Sequence, residues 1–149
     1  MVLFSAVLLS FSGCGEISNE STYGSGHDTL NVKLLDTKTV QFTWNKKYNG
    51  YSEVLLRQEG ENSRTGYFMT HNYTGNYQLT CYIAHTYSNY ADFECSSTGS
   101  KSLSSSATLP RVYFDTIYNV QMSEGLEHNY QAVTARLTYD SSSQALVLN

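Results

Sequence analysis

Proline stands once in the 149 residues, at Pro110, and charged residues make up only 15% of the chain. So low a charge, beside 40% apolar residues, is not the charged, apolar-poor composition of a disordered segment. Basic residues are the minority: nine Lys and Arg stand against thirteen Asp and Glu, for a net charge of -4. That excludes the basic footprint of a nucleic-acid binder as the default reading. No apolar run approaches the ~20 residues of a membrane-spanning helix. No segment keeps apolar residues at helical spacing for three turns. The motifs G-x-S-x-G and H-E-x-x-H, a phosphate-cradling glycine loop and the EF-hand spacing are all missing. What the chain does have is thirteen Tyr among many Ser and Thr, a composition of strands and polar turns. Its length suits one domain.

The first eleven residues, MVLFSAVLLSF, are uncharged and mostly apolar, and the small residues Ser12 and Gly13 precede Cys14. An apolar core of this length ending in small residues reads as an export signal over residues 1–13. Phe11-Ser12-Gly13-Cys14 resembles the lipobox of bacterial lipoproteins, in which an apolar residue and two small ones precede a Cys. The resemblance implies a diacylglyceryl group on the sulfur of Cys14 and cleavage before it. Gly15 rather than Asp after that Cys implies, by analogy with Gram-negative lipoproteins, the outer membrane. Plain secretion and a native N-terminal strand are the alternatives. Residues 14–28, rich in Ser and Gly, have the composition of a flexible tether; in such a tether His27 and Asp28 are not a catalytic pair.

Three cysteines are an odd count for an exported protein. With Cys14 lipidated, Cys81 and Cys95 remain as a disulfide pair in an oxidising compartment. The competing reading is a metal site, since His71 and His85 lie near Cys81 in the sequence. The Cys81-x3-His85 spacing with Cys95 alone downstream matches no compact zinc pattern. No metal and no cofactor are expected.

From Thr29 the pattern has period two. Leu30, Val32 and Leu34 alternate with polar residues, and Val40, Phe42 and Trp44 repeat the pattern after a short turn at Asp36-Thr37-Lys38. Asn49-Gly50 is a favoured hairpin pair when strands flank it. Further strands are expected over Tyr51–Arg57, Thr65–His71, Gln78–Thr86, Val112–Met122, Tyr130–Tyr139 and Gln144–Leu148. About eight short strands make an all-β, antiparallel sandwich the expected architecture, with a barrel as the alternative.

Val40-Gln41-Phe42-Thr43-Trp44 resembles the second strand of a fibronectin type III or related immunoglobulin-like domain. Gly50-Tyr51 through Leu56 is similar to the strand that follows. Gly125-Leu126 with Tyr130, Val133 and Ala135 looks like the corner and penultimate strand near the domain's end. The resemblance implies an immunoglobulin-like sandwich over residues 29–149 with Phe42, Trp44 and Tyr130 in its core. The surplus length implies a disulfide-stapled insertion at about residues 66–111.

Tyr67, Tyr73, Tyr77, Tyr82, Tyr87 and Tyr90 crowd into twenty-four residues. On strands, alternate Tyr residues often do no more than cover a sheet. Exposed on a stapled segment, they offer flat apolar faces with polar tips, a platform for a protein or a glycan. Tyr82, Tyr87 and Tyr90 are the candidate binding residues. Asp92 and Glu94 share a face if their segment is extended, and with His85 they are the residues a hydrolase would use. His128 has no evident partner. The expected function is a lipid-anchored, non-catalytic binding or adhesion module of the cell envelope, attached to the membrane through its lipid and to an unknown protein or glycan. The alternatives are a structural lipoprotein pairing through edge strands, a carbohydrate-binding module, and a small secreted hydrolase.

Overall fold

Leu30 and Val32 on one strand, and Val40, Phe42 and Trp44 on the next, put every second side chain on a single face, and the chain folds back between them. The computed structural model describes residues 20–24, 28–60, 67–98, 104–107, 111–124 and 135–149. In it β2 (Asp28–Asp36) and β3 (Thr39–Lys46) form an antiparallel hairpin in which Val32 faces Phe42 and Leu30 faces Trp44. The turn is closed where the Lys38 N–H donates to the Asp36 carboxylate at 2.8 Å.

Twelve strands among the described residues build two six-stranded, antiparallel sheets that pack face to face. β1 (Glu20–Gly24), β2, β3, β6 (Gly75–Thr86), β7 (Tyr90–Thr98) and β9 (Arg111–Tyr113) form the first sheet, in the order β9-β7-β6-β3-β2-β1. β4 (Ser52–Gln58), β5 (Tyr67–His71), β8 (Ser104–Ala107), β10 (Ile117–Glu124), β11 (Ala135–Asp140) and β12 (Ala145–Leu148) form the second, ordered β12-β11-β10-β4-β5-β8. The core lies between them. Phe42, Trp44, Leu79 and Phe93 from the first sheet meet Val54, Leu56, Val120, Met122, Leu137 and Tyr139 from the second. Trp44 is fully buried with Tyr77 as its cross-strand neighbour, ring centroids 5.6 Å apart. This is an all-β sandwich, and the fold class read from the alternation holds.

Four expectations change. The tether expected over 14–28 does not hold at residues 20–24 and 28, because Glu20–Gly24 pairs with β2 from Glu20↔Lys33 to Gly24↔Thr29 and Asp28 opens β2 with 1% exposure. Composition suits a spacer there, but the unpaired edge of β2 offers a row of backbone donors and acceptors that a polar segment fills as well as an apolar one. Glu20 also accepts a bond from the Asn31 amide at 2.7 Å. Second, Val112–Met122 is two strands in different sheets. The break falls at Asp115, in the left-handed region with φ 58°. Its carboxylate takes bonds from the Ser141 N–H at 3.0 Å and the Ser141 hydroxyl at 2.6 Å, a local compensation typical of Asp in this conformation. Third, Asn49-Gly50 joins β3 to β4 across the two sheets and closes no hairpin; the Gly50 φ of 125° suits glycine alone.

The fourth concerns the surplus length at 66–111. Its described residues are laid into both sheets, as β5 and β8 on one side and the β6–β7 hairpin beside β3 on the other. Tyr130 and His128 lie outside the described residues, as do Cys14 and the rest of residues 1–19.

Cys81 and Cys95 are register partners on β6 and β7 and form a disulfide, Cα atoms 4.0 Å apart, that faces the core. Replacing both by Ala is expected to cost about 2–5 kcal/mol, read as a lower denaturation midpoint. An unchanged midpoint would show that β6 and β7 hold their register without the cross-link.

Candidate binding surface

Alternation along β6 and β7 divides the tyrosine-rich run between two environments. Tyr77, Leu79 and Cys81 of β6 point into the core, as do Ala91 and Phe93 of β7. Tyr82, Asp92 and Glu94 therefore occupy the outer face, where Tyr82 is 42% exposed. Tyr77 is thus a core residue, its hydroxyl donating to the Tyr73 carbonyl at 2.6 Å. Tyr73 is exposed on the connection between β5 and β6.

A register shift decides what stands beside Tyr82. Pairing jumps from Ile83↔Phe93 to His85↔Asp92, so Ala84 is an extra residue in β6. Strict alternation would put Ala84 on the outer face; the bulge puts His85 there, opposite Asp92. The hairpin then turns tightly, with the Tyr87 N–H donating to the Tyr90 carbonyl at 2.8 Å. This brings the Tyr87 and Tyr90 rings into a stack, centroids 4.7 Å apart and planes 25° from parallel. His85 meets Tyr87 edge to face at 4.6 Å.

The short strand β9 completes the surface. It pairs with β7 at Arg111↔Asp92, Val112↔Ala91 and Tyr113↔Tyr90. Val112 is buried, and Arg111 and Tyr113 fall on the outer side. The Arg111 guanidinium sits 4.4 Å from the centre of the Tyr90 ring, and Tyr113 tilts against the same ring at 5.8 Å. His85, Tyr87, Tyr90 and Tyr113 thus form one aromatic row with Arg111 over its middle. Such stacking and cation–π contacts contribute roughly 0.5–1 kcal/mol each at exposed sites and hold the rings in place.

The two carboxylates anchor the phenols. Tyr82 donates its hydroxyl to Glu94 at 2.8 Å, and Tyr87 donates to Asp92 at 3.3 Å. Both tyrosines consequently hold their protons above the ordinary tyrosine range. For Tyr82 the hydrogen bond to Glu94 is the main cause; for Tyr87 it is the negative charge of Asp92.

The structure brings Tyr87 and Tyr90 together and sets Tyr82 on the same face beside Glu94. Asp92 and Glu94 do share that face, each holding a phenol. His85 joins the aromatic row, and the sulfurs of Cys81 and Cys95 are bonded to each other. Among the described residues no three of His, Cys, Asp and Glu are grouped to hold a metal ion. Arg111 and Tyr113 were not foreseen as site residues. Tyr113 fell within the single strand expected over Val112–Met122, and nothing local in the sequence ties it or Arg111 to Tyr90. No protein-family model, no curated protein and no solved structure matches the chain.

A pH titration of phenolate absorbance is expected to show Tyr82 and Tyr87 ionising above the ordinary tyrosine value, because a phenolate beside a carboxylate is repelled. Glu94→Gln should lower the Tyr82 transition and Asp92→Asn that of Tyr87. Transitions that ignore both changes would mean that the phenol–carboxylate bonds do not persist in solution.

Proposed function

We propose that this chain is a lipid-anchored, non-catalytic binding module of the bacterial cell envelope, which contacts a protein partner through the outer aromatic face of β6, β7 and β9. The observation that carries the reading is the ordered row His85–Tyr87–Tyr90–Tyr113 with Arg111 laid over it. Tyr and Arg are the residues that dominate protein interfaces, and rings already held in place lose little freedom on binding. A sugar needs an open aromatic face, and Tyr90 is engaged by both Tyr87 and Arg111. This favours a protein partner over a glycan.

Anchoring rests on Phe11-Ser12-Gly13-Cys14, and the fold adds a length to it. Glu20 already lies in β1, six residues after Cys14, so the lipid would sit within about 20 Å of the sheet even along a fully extended chain. The sandwich is then held close to the bilayer. β1 and β9 are the opposite edges of their sheet, roughly 24 Å apart at ~4.8 Å per strand. That spacing sets the aromatic row away from the anchored edge.

Cys14→Ser is expected to abolish incorporation of a labelled fatty acid and to release the protein from the membrane fraction. A Cys14→Ser chain that stays membrane-bound would overturn the anchor. In the native host, a photo-cross-linking residue at position 87 should trap a discrete protein adduct that the same residue at Val147, exposed on the other sheet, does not. Equal products from both positions would remove the aromatic face as the contact surface.

A further inference from the structure

The outer face carries two tyrosine–carboxylate pairs. At one, Tyr87 donates to Asp92 at 3.3 Å, and the chain supplies its own cation nearby: Arg111 lies over the adjacent Tyr90 ring and is the register partner of Asp92. At the other, Tyr82 and Glu94 are register partners on β6 and β7, and the Tyr82 hydroxyl binds Glu94 Oε1 at 2.8 Å. That bond fixes the carboxylate beside the ring. Both residues are exposed. Among the described residues Glu94 forms no ion pair, and the pairing of β9 with β7 starts at Arg111↔Asp92, one outer position short of Glu94. Lys38 precedes Thr39, the other register partner of Tyr82, but its ammonium is bound to the Tyr139 hydroxyl at 2.7 Å.

We propose that Tyr82 and Glu94 are a seat for a basic side chain of the protein partner, arginine in preference to lysine. The inference rests on the reading of this face as a protein-binding surface, and names the chemistry of its partner. An arginine laid on the Tyr82 ring repeats the cation–π contact that Arg111 makes with Tyr90, and here Glu94 adds a carboxylate to the seat. The ring supplies a negative π face and the carboxylate a charge-assisted acceptor, which a planar guanidinium uses together. A net charge of -4 favours the approach of a basic segment.

The test uses a fluorescently labelled peptide carrying several arginines separated by glycine, with the neutral citrulline peptide as control, followed by anisotropy. The arginine peptide should bind saturably, and more weakly as salt is raised. Glu94→Gln and Tyr82→Ala should each weaken it by roughly three- to ten-fold, and Tyr82→Phe by less, since the ring remains. Glu59→Gln removes the same charge from the other sheet and should leave the affinity within about two-fold, as expected for a distant exposed charge. Equal effects of Glu94→Gln and Glu59→Gln, equal binding of the citrulline peptide, or an unaffected Tyr82→Ala would each overturn the seat. All the substituted side chains are exposed, and thermal melts confirm that each variant folds. If the position-87 photo-adduct forms while arginine binding ignores Tyr82 and Glu94, this inference fails and the binding surface stands. If arginine binding follows Tyr82 and Glu94 but no adduct forms, the seat stands and the aromatic row is not the partner's contact.

Discussion

The pairing of β6 with β7 is the constraint on which both the interior and the surface of this protein depend. These strands pair along a ladder that runs from Gln78↔Thr98 to Thr86↔Ala91. On the inner side, Leu79, Cys81, Ala91 and Phe93 close the core against the second sheet. On the outer side, the same register sets Tyr82 against Glu94 and His85 against Asp92. Because side chains alternate strictly, a slip of one residue would exchange the two faces. It would expose Phe93 and bury two carboxylates. The disulfide between directly opposed residues makes that slip impossible while it lasts.

Strands that change sheets tie the sandwich together. After Phe114, which stacks on Tyr139 at 4.7 Å, the left-handed turn at Asp115 carries the chain from β9 to β10. At the same end, the Tyr139 hydroxyl accepts from Lys38 and meets the Thr86 hydroxyl at 3.2 Å, while the Leu146 N–H donates to the Thr37 carbonyl at 2.8 Å. The β2–β3 turn, the end of β6 and the β11–β12 hairpin are thereby fastened to one another. The rings of the outer face thus project from a braced end of the molecule, where little freedom is left to lose on binding.

Much of the fold was legible because alternation is a local property. Leu30–Leu34 and Val40–Trp44 declare their buried faces without reference to anything else in the chain, and the Asp36-Thr37-Lys38 turn follows from their closeness. The site was legible only in part. Tyr82, Tyr87 and Tyr90 stood out by their density, yet density did not separate them from Tyr77, which strand parity sends into the core. Arg111 and Tyr113 lie some twenty residues from Tyr90 along the chain, and only the pairing of a three-residue strand brings them to it.

Period-two patterning and the Cys81 and Cys95 pair needed no partner to be read, because each is written in neighbouring or sparse, distinctive residues. The tertiary structure decided that Glu20–Gly24 is a strand, that Ala84 is an extra residue, that Asp115 divides one apolar pattern between two sheets, and that Arg111 covers Tyr90. The reason is common to all four. A strand's own sequence states which side chains share a face, whereas its neighbour, its register and its bulges are set by backbone hydrogen bonds to residues far away in the chain.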